Sequence, residues 1–487
     1  MIIEQLRESS INSILLHQYV TKNYTQIYDF FNHKNYSELL ILKNILNQYI
    51  QLNRNTILKL DLTAKENLAF ISLLLDISEQ LSLIAPFNFL YLHLHSNNYI
   101  ISKRLKAAYL YLCNISTAID YTNRYKEICY YLHLASVAEE DNDIKILMTL
   151  VHYYAKAVSN FREFNIQTVK YIKLQIEYDI EKNTYHFLRN ELLQQVLSIE
   201  LYSDKDPYLE IQKTFEFFLS KTTIKPKYKK GFLIEENTKY CRELAAVDDN
   251  FKSIREISVK YYKTIDSDSV FISLKRGVAI LSYEEQLFSY MSSYGNMHYE
   301  KLIEAFKKIP QDLFKKAVNI TDWGCGQAIA SIAYLDFLNM KKIKQTIGRF
   351  YLIEPSEINI KRATLHIKKL NANTNIHTIN KDIDTLSNQD FRKDQNYTNI
   401  HLFSNILDID NFSMINLLNL IENNFFGSNY FICTSPYINY TKTMRIDGFV
   451  KHFSEKINFN MIESLDSQNG EWKNNWTRVI RIFHVTL

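Results

Sequence analysis

A short segment near residue 322 has the residue types and the spacing of a ligand-binding turn. Asp322 stands two positions before Gly324, and Gly326 follows after one further residue. Because glycine has no Cβ, the backbone can turn sharply there from a strand into a helix and approach a ligand closely. A carboxylate just before such a turn suits a ligand with an ammonium group better than one with phosphates. The segment is therefore a candidate site for a ligand of that kind.

Two common nucleotide-binding turns have a different pattern. A dinucleotide turn, G-x-G-x-x-G/A, requires a small third residue, and Ile329 occupies that position here. A phosphate loop requires a lysine at the end of G-x-x-x-x-G-K-[ST], and no lysine follows these glycines. The pattern therefore disfavours both of these ligand classes.

Strand-like and helical segments alternate around the turn. Short apolar runs end at Asp322, at Glu354 and near Asp382, with amphipathic segments between them. Further strands are predicted within 398–409, 429–437 and 476–487, and no helix follows the last one. Such an alternation predicts βαβ units, hence a parallel sheet with helices on both faces. We expect the terminal strand to join this sheet in the antiparallel direction.

The turn, with an acid that closes the second strand about 30 residues later, resembles the class I S-adenosylmethionine-dependent methyltransferases. The resemblance covers about residues 290–487 and implies a Rossmann-like α/β domain with S-adenosylmethionine as its cofactor. It implies that Gly324 and Gly326 lie against the methionyl part, that Asp322 holds the amino group, and that Glu354 takes both ribose hydroxyls. Without a cofactor, Asp322 would only cap the next helix and Glu354 would be an exposed acid at a strand end.

The same resemblance assigns roles to two later stretches of the chain. Asp382 corresponds to the acid that meets the adenine amino group, with Ile383 near the ring. The Ser404–Asn405 segment corresponds to the one that lines the cofactor and faces the substrate. Ala328 stands where the fullest form of the turn has a third glycine, and working members of the family also have alanine at this position.

The sequence says less about the methyl acceptor than about the cofactor. Enzymes that methylate base amines carry [DNS]-P-P-[YFW] after the fourth strand, where this chain reads FSNIL. Cytosine C5 methylation needs a thiolate nucleophile, but we expect Cys433 to be a buried strand residue and Cys325 a small filler of the turn. Asp408 and Asp410 begin a predicted helix, where the helix dipole alone favours acids, so no metal is expected.

One histidine is a candidate catalytic residue. His298, with Tyr294, precedes the first strand in a segment that can fold over the cofactor as a lid, where His298 would be a base or a substrate contact. The alternative is a histidine that is simply buried in a helix. The sulfonium is already a reactive methyl donor, so the protein mainly aligns the acceptor, and no other catalytic residue can be named.

The N-terminal half has a different character. The chain holds only 9 glycines and 6 prolines in 487 residues, which favours long helices over hairpins. Apolar residues recur at helical spacing up to about residue 220, and helix pairs of about 40 residues indicate either a helical-repeat solenoid or an irregular helical domain. The many tyrosines are expected to fill the core rather than to form a base-stacking surface.

These patterns predict a multidomain protein. Its parts are an all-helical, possibly solenoid, domain over 1–221, a linker over 222–231, a helical connecting or lid segment over 232–300, and the methyltransferase domain over 301–487.

Charge and cysteine content constrain the partners. The 57 basic and 53 acidic residues leave a net charge of +4, and residues 301–487 hold 23 basic and 18 acidic ones. No strongly basic face stands out, so a protein or peptide acceptor bound by the helical half is favoured over RNA. A non-catalytic interaction protein is the remaining alternative. Five scattered cysteines and the absence of an apolar run of about 18 residues predict a cytoplasmic protein outside the membrane.

Overall fold

The protein divides into two compact units. The computed structural model describes residues 2–113, 115, 117–138, 143–202, 205–220, 227–265, 267–392, 396–410 and 412–487. The first unit is Met1–Ile224 with Asn439–Met444, and the second is Lys225–Ile438 with Arg445–Leu487. The predicted fold class, a helical N-terminal half and a Rossmann-like α/β C-terminal part, is confirmed. Residues 222–226 of the predicted linker lie outside the described residues.

The first unit is helical throughout its described residues before 221. Its helices are α1 (Ile2–Ser9), α2 (Ser13–Asn32), α3 (Tyr36–Leu52), α4 (Arg54–Ile57), α5 (Lys65–Gln80), α6 (Ile84–Ser96), α7 (Lys103–Leu112), α8 (Ala118–Val137), α9 (Asp143–Phe161), α10 (Ile166–Glu181), α11 (Glu191–Leu197) and α12 (Pro207–Ser220). Capping boxes start two of them, because Asn35 pairs with Glu38 and Thr117 with Asp120.

The helices of this unit do not contact only their neighbours in sequence. Helix α9 packs on α5 and α12, and the ring of Tyr36 in α3 meets the ring of Phe215 in α12 edge to face at 4.9 Å. A solenoid in which each repeat touches only the next would not bring α3 and α12 together. The helical-repeat interpretation is therefore not confirmed. Tyr111, Tyr153 and Tyr154 are buried, as expected of core residues.

A buried polar cluster joins three helices of the first unit. Arg104 of α7 is fully buried and forms ion pairs with Asp76 and Glu79 of α5. Lys145 Nζ and Thr149 Oγ1 of α9 donate to these two carboxylates at 2.7 and 2.9 Å. Asp76, which interrupts the most apolar run of the sequence, is thus a charged contact inside the helical packing.

The second unit begins with helices and continues as an α/β domain. The leading helices are α13 (Lys239–Ala245), α14 (Phe251–Tyr262), α15 (Ser267–Ser273), α16 (Glu284–Ser293) and α17 (Gly295–Phe306). The α/β part contains β1 (Val318–Trp323), α18 (Ile329–Met340), β2 (Ile347–Ile353), α19 (Glu357–Leu370), β3 (Ile376–Ile379), β4 (Thr398–Ser404), α20 (Met414–Asn424), β5 (Ser428–Ser435), α21 (Tyr440–Ser454), β6 (Asn460–Ser467) and β7 (Arg478–Thr486).

The seven strands form one mixed sheet of order β3-β2-β1-β4-β5-β7-β6. The first five strands are parallel, and β7 inserts antiparallel between β5 and β6, as predicted for the terminal strand. Strands β2 and β3 are added on one side of β1, and β4 and β5 are added on its other side, so the strand order switches between β1 and β4. In open α/β sheets, ligands bind at the carboxyl ends of the strands beside such a switch point.

Both faces of the sheet are covered. The leading helices share one core with α18, α19 and the sheet face that carries Ile320 and Leu352. Trp323, Phe403 and Phe431 face the opposite core. Helix α18 is buried from Ile329 to Leu338, because it lies inside this first layer, and it holds the turn after β1 rigidly in place.

Strand β6 was not predicted from the sequence. It is an edge strand that pairs with β7, and Ser467 is its one buried residue, so the apolar alternation that marks a half-buried strand is weak. No helix among the described residues is long and apolar enough to cross a bilayer.

Candidate cofactor site

The turn after β1 has the strained backbone that its sequence predicts. Gly324, Gly326 and Ala328 have φ values of +60°, +52° and +63°. The Cys325 N–H donates to the carbonyl of Ile353 at 2.9 Å, which ties the turn to the end of β2. Helix α18 follows at Ile329. The left-handed backbone is easiest for glycine, so the turn favours glycine at positions 324 and 326, although Ala328 adopts the same conformation.

We expect the two glycines to differ in what they tolerate. A Cβ on Gly324 would lie 2.3 Å from Ile406 Cδ1, whereas a Cβ on Gly326 would meet no atom within 4 Å. Gly324→Ala should therefore cost about 2–5 kcal/mol of unfolding free energy through overpacking and backbone strain. Gly326→Ala should cost only about 1–2 kcal/mol through its positive φ. Urea unfolding measures both, and Ile406→Ala should restore part of the stability of Gly324→Ala. Equal losses at the two positions would contradict this account.

Asp322 lies at the end of β1 and is only 1% exposed. Its Oδ2 accepts bonds from the Ser331 N–H at 3.2 Å and from Ser331 Oγ at 2.6 Å, so the carboxylate does cap α18. Burial raises the pKa of Asp322 to about 7 against the opposing effect of the Ser331 bonds, and the Glu354 carboxylate adds to the rise. The bonds that cap α18 are both accepted by Oδ2. Burial still makes the ionised form of Asp322 unfavourable.

Glu354 follows β2 and is also buried, not exposed at a strand end. Its Oε2 accepts the N–H of Gly326 at 3.0 Å, and its Oε1 accepts the N–H of Ser356 at 2.9 Å. Burial raises the pKa of Glu354 as well. The structure thus brings the acid after β2 into direct contact with the glycine turn after β1.

Among the described residues, no lysine, arginine or histidine pairs with Asp322 or Glu354. A buried carboxylate without a positive neighbour is costly in free energy. The end of the sheet at the switch point is therefore a site that a cationic ligand would stabilise.

Asp382 and Ile383 follow β3. Asp382 caps a short 3₁₀ turn, Ile383–Thr385, with Oδ1 accepting the Thr385 N–H at 2.8 Å. The hydroxyl of Tyr228 donates to Oδ2 of the same carboxylate. Ile383 is partly buried against the core under the opposite face of the sheet. Tyr228 was not predicted as a site residue, because the sequence around it indicated only a linker.

Asn380 also went unrecognised in the sequence. Its Nδ2 donates to the carbonyls of Glu354 and Pro355 at 2.9 and 2.8 Å. This amide holds the backbone of β2's end against the end of β3. Its sequence signal is its position directly after the last residue of β3, where parallel strands bring polar side chains to one edge of the sheet.

Asn405 follows β4 with a φ of +57° and donates its N–H to the Thr434 carbonyl at 2.7 Å. Its side chain lies between two residues of α17. Lys301 Nζ donates to Asn405 Oδ1 at 2.9 Å, and Asn405 Nδ2 lies 2.5 Å from His298 Nε2. The structure therefore joins two predicted site residues, His298 and Asn405, through a direct bond.

Lys301 is the residue of this group that the sequence did not reveal. It is fully buried although lysine is almost never buried without partners. It lies three residues after His298, so both side chains project from one face of α17. An ammonium group can only donate, so it fixes Oδ1 of Asn405 on its own side and Nδ2 towards His298. Nε2 of His298 is then an acceptor, and the neutral ring carries its proton on Nδ1.

The environment of His298 favours the neutral ring. Burial, and then the charge of Lys301, lower the pKa of His298 well below its usual value. The rings of Tyr290 and Tyr294 lie 5.8 and 6.3 Å from it. A neutral imidazole is the form that can accept a proton.

The segment before the sheet is bonded to the turn. Gln327 Nε2 donates to the Leu287 carbonyl at 2.9 Å, and Ser356 Oγ donates to the Leu281 carbonyl at 2.6 Å. The region 281–301 therefore lies against the residues that follow β1 and β2. Its function as a lid remains a prediction.

The remaining candidates do not form a second reactive centre. Cys325 and Cys433 are buried, and burial raises the pKa of both thiols. Asp408 Oδ1 accepts a bond from Ser435 Oγ at 2.9 Å. Within the described residues no group of three or more His, Cys, Asp or Glu side chains could hold a metal ion.

The chain matches no known protein family profile and no curated protein sequence. It is similar to a solved Listeria monocytogenes protein assigned to the class I S-adenosylmethionine-dependent methyltransferases, with 12% identity, 72% of this chain and 89% of the other covered, and a TM-score of 0.31. A Leishmania major SAM-dependent methyltransferase is 10% identical over 47% and 82% of the two chains, with a TM-score of 0.27. A Clostridium acetobutylicum S-adenosylmethionine-dependent methyltransferase is 11% identical over 39% and 92%, also with a TM-score of 0.27.

TM-scores this far below 0.5 carry no weight of their own, so the fold assignment depends on the strand order and registers of the sheet. The second unit has a Rossmann-like α/β fold built on a seven-stranded mixed sheet, and the solved structures to which the chain is similar are described as S-adenosylmethionine-dependent methyltransferases, the Listeria monocytogenes protein as one of class I.

Proposed function

We propose that the second unit binds S-adenosylmethionine and transfers its methyl group to a macromolecular acceptor, a protein or peptide. One observation carries this proposal. Asp322 and Glu354 are two buried carboxylates, without a cationic partner among the described residues, at the glycine turn beside the switch point of the sheet.

The charge of the site selects among ligands. Two buried carboxylates would repel the pyrophosphate of a dinucleotide, whereas S-adenosylmethionine carries both an ammonium group and a sulfonium. Asp322 would hold the ammonium group, and Gly324 and Gly326 would leave room for the methionyl chain. Glu354 would accept hydrogen bonds from the ribose hydroxyls. Asp382 would accept a hydrogen bond from the adenine amino group, and Ile383 would pack near the ring. The residues present therefore fit this cofactor.

The bound cofactor supplies an activated methyl group, so the protein has to position the acceptor and manage one proton. His298 is our candidate for the group that accepts a proton from the acceptor. The one lone pair of the neutral ring is on Nε2, so the proton donor of the acceptor would take the place of Asn405 Nδ2 there. Asn405 would orient the ring, and Lys301 would orient Asn405. The site would thus suit an acceptor whose reacting atom loses a proton.

The proposed acceptor class follows from the rest of the chain. A large helical unit suits a macromolecule better than a small metabolite, and the net charge of +4 over 487 residues gives no strong attraction for a polyanion. A protein or peptide is therefore proposed as the acceptor.

Calorimetric titration of S-adenosylmethionine and S-adenosylhomocysteine tests the cofactor. We expect the wild type to bind both, and the double variant Asp322→Ala, Glu354→Ala to bind neither. Glu357→Ala is the matched control, because this half-exposed acid near Glu354 makes only a surface bond to Lys361 at 2.6 Å. A folded wild type that binds neither compound would refute the proposal.

Transfer of a labelled methyl group into a cell extract tests the acceptor. Label that is removed by protease would support a protein or peptide, and label removed by ribonuclease would replace that class with RNA. Cofactor binding without any transfer would favour a non-catalytic interaction protein.

A further inference from the structure

Residues 227–235, which we call the strap, lie along the outer edge of the sheet. Strand β3 is the edge strand on this side. The Leu233 N–H donates to Thr378 Oγ1 at 3.0 Å, and Thr378 Oγ1 donates to the Gly231 carbonyl at 2.8 Å. The strap thus binds the side chain of an edge-strand residue at two points.

One end of the strap is bonded to a residue beside the candidate site, and the other end is bonded to helix α19. The Lys229 N–H donates to Asn380 Oδ1 at 2.9 Å, and Asn380 in turn holds the carbonyl of Glu354. At the other end, Glu235 forms an ion pair with the buried guanidinium of Arg362 in α19. The strap therefore lies beside the ends of β2 and β3 and is held there by contacts at Lys229 and Glu235.

Tyr228 connects the strap to Asp382, the acid that is predicted to bind the adenine amino group. Its hydroxyl donates to Asp382 Oδ2, while Oδ1 is used by the Thr385 N–H. A carboxylate oxygen has two lone-pair directions, so Oδ2 retains a position for one further donor. An exocyclic amino group of a purine is such a donor, and the ring of Tyr228 stands beside the oxygen that would receive it.

We propose that Tyr228 belongs to the adenine half of the cofactor site and that the strap closes this half at the edge of the sheet. The inference rests on the proposed function. The ring supplies an apolar surface to the base, and the hydroxyl holds the Asp382 carboxylate so that Oδ2 faces the purine amino group. Strap and β3 edge together bound a purine pocket that the parallel sheet alone would leave open.

The test compares two ligands that differ only at the purine. S-adenosylhomocysteine carries the amino group, and S-inosylhomocysteine carries an oxygen there, which a carboxylate repels. Calorimetric titration of both into the full-length wild type, Tyr228→Phe and Tyr228→Ala gives each affinity and the ratio between the two ligands. Phe232→Ala is the control, because Phe232 is an aromatic residue of the same strap that is 55% exposed.

We expect Tyr228→Ala to weaken S-adenosylhomocysteine binding about 10-fold to 100-fold, the usual effect of removing an aromatic side chain from a base. Tyr228→Phe keeps the ring and loses the hydroxyl, so it should retain most of the affinity but lower the preference for adenine over hypoxanthine. Phe232→Ala should match the wild type in both respects. A change confined to stability would lower the melting temperature without moving the ratio.

The outcomes separate this inference from the proposed function. If the wild type binds S-adenosylhomocysteine, and both Tyr228 variants bind the two ligands as the wild type does, the inference is overturned and the proposed cofactor stands. If both variants only lose thermal stability with an unchanged ratio, Tyr228 is a structural contact and the inference is again overturned. If the wild type binds neither ligand, the proposed function and this inference fail together.

Discussion

Replacing Asp322 with Asn should weaken cofactor binding and stabilise the protein at the same time. The loss of a buried charge partner should cost about 100-fold in affinity for S-adenosylhomocysteine. At pH 8, however, the ionised Asp322 is buried with no cationic partner in the part of the chain that the structure describes, and Asn removes that charge while still accepting the Ser331 bonds. A pKa of about 7 for Asp322 in the fold against about 3.9 in the unfolded chain is equivalent to about 4 kcal/mol.

The sign of the pH dependence follows from the proton balance. Between about pH 4 and pH 7 the folded protein holds a proton on Asp322 that the unfolded chain has released. The contribution of this group to stability therefore falls as the pH rises through that range and is constant above it. Cofactor binding requires the charged form, so wild-type affinity should rise as the pH increases towards 7.

Urea unfolding and calorimetry at pH 5.5 and pH 8 measure both effects. Asp322→Asn should exceed the wild-type unfolding free energy by about 4 kcal/mol at pH 8 and by about half of that at pH 5.5, which lies midway between the folded and unfolded pKa values of Asp322. Its weak binding should depend less on pH than wild-type binding does. Asp336→Asn is the control, because this buried acid of α18 accepts the Tyr299 hydroxyl at 2.7 Å away from the glycine turn. Lower stability of Asp322→Asn at pH 8 would contradict the assignment of an uncompensated charge.

A second large effect is expected at the bond between α17 and Asn405. His298→Gln should slow methyl transfer about 100-fold, within the usual range for a lost general base, and leave the affinity for S-adenosylhomocysteine unchanged. Lys301→Met should also slow transfer, because the Asn405 amide is then free to rotate and present Oδ1 to His298. Lys301→Gln retains a donor for Oδ1, so it should recover more of the rate than Lys301→Met does.

Two readouts distinguish positioning from a general loss of structure. Lys301→Met removes a neighbouring positive charge, so the acid limb of the pH–rate profile should move to higher pH, as should the titration of the ¹³C-labelled His298 ring. Burial remains in this variant, so the pKa of His298 should stay below its ordinary value. Transfer rates are measured with the acceptor obtained from the extract. An unchanged pH profile in Lys301→Met would remove Lys301 from the proposed proton-accepting group.

Sequence patterns predicted the site residues that depend on local chain order. The glycine turn, the acid after β2 and each predicted strand or helix are encoded by short runs of neighbouring residues. Strand β6 was missed because an exposed edge strand needs no apolar alternation. The helical-repeat interpretation was not confirmed, since spacing along α1–α12 describes each helix but not which helices meet.

The sequence by itself determined the type of turn after β1, the order of the acids that follow β1, β2 and β3, and the parallel sheet that brings them to one edge. Only the tertiary structure decided that Asp322 and Glu354 are buried with no cation beside them among the described residues, that Lys301 fixes Asn405, and that Tyr228 meets Asp382. The physical reason is that burial and long-range bonds depend on packing between segments far apart in the chain. Tyr228 and Asp382, for example, are separated by 154 positions, and no local pattern relates them.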